Sequence, residues 1–245
     1  MSSYSKVLCH SIRIFPRFAT KGGLMNFPKG ILFDFDGTLV DSERFHFRSA
    51  RDLFQRDFGV EITMDYYNQK MAGIPLSKSS PDIIDELHLP TTPAELVRSI
   101  DEHTRQMYQS EEVSMMPLAL ETIAFFEDRK CQLGVVTGSG RRDVTLTLNR
   151  LGLMEKFKVL VTNDEVENVK PHAEPYLKGI AGLGLQKEEI VAFEDSPNGM
   201  SSATSAGLFC IGVQRASVLS ERMKHGAMLL KGFDEVMDYF KKVSG

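Results

Sequence analysis

Five short apolar runs recur along the chain: Gly30-Ile31-Leu32-Phe33-Asp34, Leu133-Gly134-Val135-Val136-Thr137, Val159-Leu160-Val161-Thr162, Ile190-Val191-Ala192-Phe193-Glu194 and Phe209-Cys210-Ile211-Gly212-Val213. None alternates between apolar and polar positions. Continuous runs of this kind suit strands covered on both faces, as in a parallel sheet, rather than strands with one wet face. Helical patterns separate the later runs at ordinary connection lengths, and that order predicts an α/β fold: a doubly wound, Rossmann-like parallel sheet.

Residues 42–115 break the rhythm, because they hold no strand-like run. Phe47, Ala50, Leu53, Phe54 and Phe58 follow helical spacing instead. Thr92-Pro93-Ala94-Glu95 reads as a capping box with proline at the first helical position, opening a helix that continues to Tyr108. The expected organisation is an α/β core of residues 29–41 and 116–245, an all-helical cap of residues 42–115, and an N-terminal extension of residues 1–28. Lys6, Arg13, Arg17, Lys21 and Lys29 sit in a stretch without Asp or Glu, which fits an organellar transit peptide. A start at Met25 is the preferred reading, and with it a cytoplasmic location.

Composition narrows the partners. At 42% hydrophobic and 25% charged residues the chain has the balance of a folded protein, not a disordered one. A net charge of -4 argues against nucleic acid as the main partner. Cys9, Cys131 and Cys210 are too few and too scattered for a disulfide framework or zinc cluster, which points to a reducing compartment. No apolar run reaches the ~18 residues of a membrane span, so no membrane partner is expected. A monomer is the default.

The sharpest local feature is Asp34-Phe35-Asp36-Gly37-Thr38, at the carboxyl end of the first run. Ligands of open α/β sheets gather beyond that end of the strands. Two carboxylates so close repel unless a cation or a shared proton relieves them. Mg2+, an oxygen-seeking ion that pairs with phosphate, would serve. Asp34-Phe35-Asp36-Gly37-Thr38 resembles the first motif of the haloacid dehalogenase superfamily of phosphohydrolases. Thr137 resembles the second motif, Lys170-Pro171 the third, and Glu194-Asp195-Ser196 with Gly199 the fourth, all in family order.

The resemblance implies a role for each position. Asp34 is the nucleophile that takes the phosphoryl group, and Asp36 the acid for the leaving oxygen and then the base for water. Thr137 offers a hydroxyl, while Gly138 and Ser139 offer N–H groups to phosphate at a helix start; Gly37 joins them in phosphate binding. Lys170 neutralises charge. Asp34, Asp195 and, directly or through water, Glu194 hold Mg2+ together with the backbone carbonyl of Asp36.

The helical insertion looks like the cap of the phosphoglycolate phosphatase and β-phosphoglucomutase group. His46 falls where the mutase has a histidine beside its general acid, and Gly73 lies in the substrate loop. Where the mutase has an arginine for a second phosphate this chain has Leu76, which cannot form a bidentate clamp; Lys70, Lys78 and Arg105 are possible substitutes. The expectation is therefore a Mg2+-dependent phosphatase acting on a small phosphorylated metabolite, a sugar or polyol phosphate. A β-phosphoglucomutase-type enzyme is the alternative, and a non-catalytic phosphate-binding or regulatory protein the second. Specificity is expected in residues 73–79 and 139–142, including Arg141 and Arg142.

Overall fold

The computed structural model describes residues 27–72, 74, 76–110, 113–213 and 227–244. Residues 1–24, read as an extension before Met25 or a transit peptide, and the candidate substrate residue Gly73 lie outside these. The chain opens with β1 (Gly30–Phe33) and then passes through four helices, α1 (Ser42–Phe58), α2 (Met64–Lys70), α3 (Leu76–Leu87) and α4 (Pro93–Ser110). It continues through α5 (Ala119–Asp128), β2 (Gln132–Val136), α6 (Arg141–Arg150), β3 (Val159–Val161), α7 (Glu174–Leu183) and β4 (Ile190–Glu194). The last elements are α8 (Pro197–Ser205), β5 (Phe209–Val213), β6 (Ala227–Leu230) and α9 (Phe233–Ser244).

Six strands form one sheet in the order β3-β2-β1-β4-β5-β6. Every pairing is parallel, which is the doubly wound α/β class. The five apolar runs are β1 to β5, while β6 is an edge strand that the run pattern did not disclose. Its four residues, Ala227-Met228-Leu229-Leu230, are too short to carry a period. Burial explains the missing alternation: all four residues of β1 and all five of β4 are buried. One apolar cluster gathers Ile31, Phe33, Val135, Phe193 and Phe240 on one face; a second joins Leu32, Val136, Tyr176 and Ala192 on the other.

A third cluster, with Leu53, Phe54, Tyr67, Ile83, Leu96 and Ile100, is formed by the segment of α1 to α4 alone. Thr92 and Glu95 close the capping box at the head of α4: Thr92 N–H donates to Glu95 Oε2 at 3.1 Å, and Glu95 N–H to Thr92 Oγ1 at 3.3 Å. The chain enters and leaves the four helices along paired segments. Asp41 N–H donates to Ser114 O, and Met116 N–H to Leu39 O, both at 2.8 Å. Arg150 on α6 also donates to the carbonyl of Tyr108 on α4, so the helices are held over the end of the sheet where β1 and β2 finish. Among the described residues no helix is long and apolar enough to cross a membrane.

Candidate active site

Parallel pairing sets the carboxyl ends of β1, β2 and β4 side by side, and the residues that follow them converge. Asp34 leaves β1 with its N–H on Phe193 O at 2.9 Å, so the last ladder bond fixes its backbone. The chain then turns sharply: Gly37 N–H donates to Val40 O at 2.8 Å, with Gly37 at φ +77°. An L side chain is strained there, and any Cβ on Gly37 would overlap Asp195 Oδ2. Gly37 thus allows the first turn and Asp195 to approach; its N–H is taken by the turn.

Lys170 ties the centre together. Its Nζ donates to Asp34 Oδ1 and to Glu194 Oε1, each at 2.6 Å, and to Val136 O at 2.9 Å. All three Nζ protons therefore have acceptors inside the protein. The Lys170 side chain is 11% exposed and that of Glu194 fully buried. Burial lowers the tendency of Lys170 to stay charged, but Asp34 and Glu194 outweigh it and raise its pKa above the ordinary lysine value. Glu194 Oε1 also accepts from Tyr176 Oη at 2.7 Å, while Oε2 accepts from Ser196 Oγ at 3.3 Å. Ser196 caps α8, accepting from Gly199 N–H at 3.0 Å. A Cβ on Gly199 would overlap Glu194, which accounts for glycine at that position.

Asp34, Glu194 and Asp195 present carboxylate oxygens within 4.8 Å of one another. Burial, with Glu194 next and Asp36 behind it, pushes the Asp34 carboxyl up to about 7 although Lys170 works the other way. Burial together with Asp34 and Glu194 likewise holds Asp195 well above the ordinary carboxylate range. When ionised, three clustered carboxylates beside one ammonium leave an excess of negative charge. An all-oxygen donor set of this kind could hold one hard divalent cation.

Asp36 points elsewhere. Its Oδ2 accepts from Thr137 Oγ1 at 3.1 Å and Ser139 Oγ at 2.5 Å, and its buried Oδ1 has no protein hydrogen-bond partner. Its side chain therefore stands outside the cluster of Asp34, Glu194 and Asp195. Thr137 is fixed at the end of β2 by its N–H on Val161 O at 2.9 Å. The expected N–H cradle before α6 is partly used up: Ser139 N–H donates to Thr137 Oγ1 at 3.0 Å and Arg141 N–H to Asp164 Oδ2 at 2.6 Å. Ser139 meets the site through its hydroxyl instead.

A cavity of about 310 Å³ lies between the four helices and the start of α6. His46, Leu76, Asp101, Arg105 and Tyr108 line it from the helices, and Ser139, Gly140 and Asp143 from the sheet domain. His46 Nε2 stands 3.5 Å from Tyr108 Oη, at the limit of hydrogen bonding. Two expectations about specificity change here. Arg141 is turned away to Glu165 Oε1 at 2.6 Å and Leu160 O at 3.0 Å. Of the three cations considered for a second phosphate, Lys70 pairs with Glu86 at 2.5 Å, and only Arg105 lines the cavity. Sequence reading did not single out Tyr176, Asp101 or Asp143; an apolar-faced tyrosine and charged helix positions look like ordinary core and solvated surface.

The family model of the haloacid dehalogenase-like hydrolases matches residues 31–213. The chain belongs to that family. This haloacid dehalogenase-like hydrolase is 28% identical to the phosphorylated carbohydrates phosphatase of Thermotoga maritima, an alignment covering 88% of this chain and 99% of the relative. It is 29% identical to the validoxylamine A 7'-phosphate phosphatase of Streptomyces hygroscopicus subsp. limoneus, over 85% of this chain and 95% of the relative. Among solved structures, a Thermotoga maritima protein with a provisional β-phosphoglucomutase designation superposes with TM-score 0.76 at 27% identity, over 88% of this chain and 99% of that one. CbbY of Rhodobacter sphaeroides, solved in complex with phosphate, superposes with TM-score 0.68 at 25% identity, over 86% and 96% of the two chains. The haloacid dehalogenase-like chain is thus a hydrolytic enzyme.

Proposed function

We propose that this enzyme is a Mg2+-dependent phosphatase that hydrolyses small phosphate monoesters, sugar or polyol phosphates, through an aspartyl-phosphate on Asp34. The observation that carries the reading is the Lys170 clamp. One buried ammonium holds Asp34 on one side and Glu194 on the other, which suits a nucleophilic carboxylate that must meet an anionic substrate.

In the first step an Asp34 oxygen bonds to phosphorus as the bond to the leaving oxygen breaks. Asp36 delivers a proton to that oxygen, so the product leaves as an alcohol. Thr137 and Ser139, both donating to Asp36 Oδ2, fix which oxygen of Asp36 carries the proton: Oδ1, the one without a protein partner. In the second step Asp36 takes a proton from water, the oxygen attacks phosphorus, the bond to Asp34 breaks and inorganic phosphate leaves. Lys170 balances charge on Asp34 in both steps and remains protonated, as its raised pKa requires. Asp34, Glu194 and Asp195 would hold Mg2+, which when bound supplies positive charge to the phosphate oxygens.

Two relatives that act, by name, on phosphorylated carbohydrates and on a 7'-phosphate support a sugar-like leaving group. Leu76 in the cavity wall offers nothing to a second phosphate, which favours hydrolysis over a mutase cycle. The test is a panel of sugar and polyol phosphates incubated with Mg2+ and then with chelator. Phosphate release that stops on chelation is expected. Conversion of β-glucose 1-phosphate to glucose 6-phosphate in its place would move the enzyme to the mutases.

A further inference from the structure

The catalytic roles above leave the polar lining of the cavity unused. Asp101 and Arg105 stand one turn apart on α4, and Asp143 belongs to the first turn of α6 on the opposite wall. Burial raises the Asp101 carboxyl above its ordinary value, with Arg105 and His46 partly opposing, so both lie within electrostatic reach of Asp101. The Tyr108 hydroxyl is influenced by both Asp36 and Asp143. Ser139 also lines the cavity while donating to Asp36 at 2.5 Å. Ser139 thus links the cavity wall to the group that would protonate the leaving oxygen, which makes the cavity the candidate space for the remainder of the leaving group.

The donors and acceptors there are unevenly matched to charge. Ionised carboxylates only accept hydrogen bonds and guanidinium only donates, whereas an alcohol does both. Two carboxylates beside one exposed guanidinium suit a group rich in hydroxyls. A second phosphate or a carboxylate would meet two like charges for one permanent counter-charge, the Arg105 guanidinium, a repulsive element as selective as an attractive one. We propose that this cavity takes an uncharged, polyhydroxylated leaving group, with Asp101 and Asp143 accepting from its hydroxyls and Arg105 donating to one, and that the two carboxylates reject substrates bearing a second anionic group. The proposal rests on the phosphatase reading and narrows its substrate class.

The experiment pairs ligands that differ by one anionic group: fructose 1-phosphate against fructose 1,6-bisphosphate, and glycerol 3-phosphate against 3-phosphoglycerate. For each pair kcat/KM is measured on the native enzyme with Mg2+, and Kd by calorimetry on Asp34→Asn protein, which should bind without turning over. The member with an uncharged leaving group is expected to win by about tenfold or more in both measurements. Asp101→Asn, and Asp101→Asn with Asp143→Asn, should shrink that ratio by about tenfold. Equal or tighter binding of the doubly anionic member, or a ratio unmoved by the substitutions, overturns the proposal whatever the turnover. Binding preference without phosphate release from any ligand leaves the proposal standing and removes the phosphatase reading instead. Release from every ligand without preference does the reverse.

Discussion

Replacing Asp34 by asparagine should abolish turnover and, in chelator, make the protein more stable. Burial and its acidic neighbours hold the Asp34 carboxyl near 7 against an ordinary 3.8, so in the folded state ionisation is disfavoured by about 4 kcal/mol. The direction with pH follows from proton binding. Below about 4 the carboxyl is protonated folded and unfolded, and the group contributes nothing. Between about 4 and 7 only the unfolded chain loses the proton, so stability falls as pH rises, and the loss is complete above 7. Asparagine removes that cost, in which the opposing pull of Lys170 is already counted. The gain at pH 8 is about 4 kcal/mol, or roughly 8–16 °C in Tm for a chain of this size. The assay is urea and thermal unfolding of both proteins in EDTA from pH 4 to 8, repeated with Mg2+. The advantage of Asp34→Asn should grow with pH and shrink when Mg2+ is added, because a cation relieves the same repulsion in the native protein. An Asp34→Asn protein less stable than native at pH 8 in chelator, or with a gap independent of pH, would refute the reasoning.

Three other outcomes are expected. Asp36→Asn should cost about 10²–10⁴-fold in kcat on alkyl phosphates and much less on activated aryl phosphates, which need little protonation of the leaving oxygen; steady-state rates on both decide it. Tyr176→Phe removes the hydroxyl on Glu194 Oε1 while keeping the ring beneath Lys170, so Mg2+ affinity by calorimetry should weaken about 10–100-fold and Tm should fall by roughly 3–10 °C from the lost bond to a buried carboxylate. Gly37→Ala forces a Cβ into Asp195 at a positive φ, and a loss of about 10²-fold in kcat/KM is expected from the misplaced carboxylate, checked with Gly199→Ala as a second crowded position.

The parts of the protein that were legible from residues alone are those where local chemistry and fold agree. Strands β1 to β5 announced themselves because burial on both faces demands unbroken apolar runs, and Thr92-Pro93-Ala94-Glu95 announced α4 because capping is a local hydrogen-bond pattern. Asp34, Lys170, Glu194 and Asp195 come together because parallel register brings the ends of neighbouring strands together, and an acid at the end of an apolar run is conspicuous. What stayed hidden depends on distant packing. Strand β6 is recognisable only by its pairing with β5. Tyr176 is a helix residue whose hydroxyl matters only because α7 lies against β4's Glu194. Asp101 looked like part of a solvated helix face until α4 was set opposite α6 across a cavity. Backbone N–H groups before α6 seemed ready for phosphate, yet Thr137 had already engaged that of Ser139, and Asp164 that of Arg141 at the first position of the helix.

The central claim is that Asp34 itself carries the phosphoryl group during turnover. Enzyme quenched in acid while hydrolysing an aryl phosphate with Mg2+ can be reduced with borohydride, which converts an aspartyl phosphate to homoserine, and the tryptic peptides sequenced by mass spectrometry. The mass change should fall on position 34 and disappear when Mg2+ is withheld. An unmodified Asp34 under steady turnover, or a modification on another residue, would contradict it.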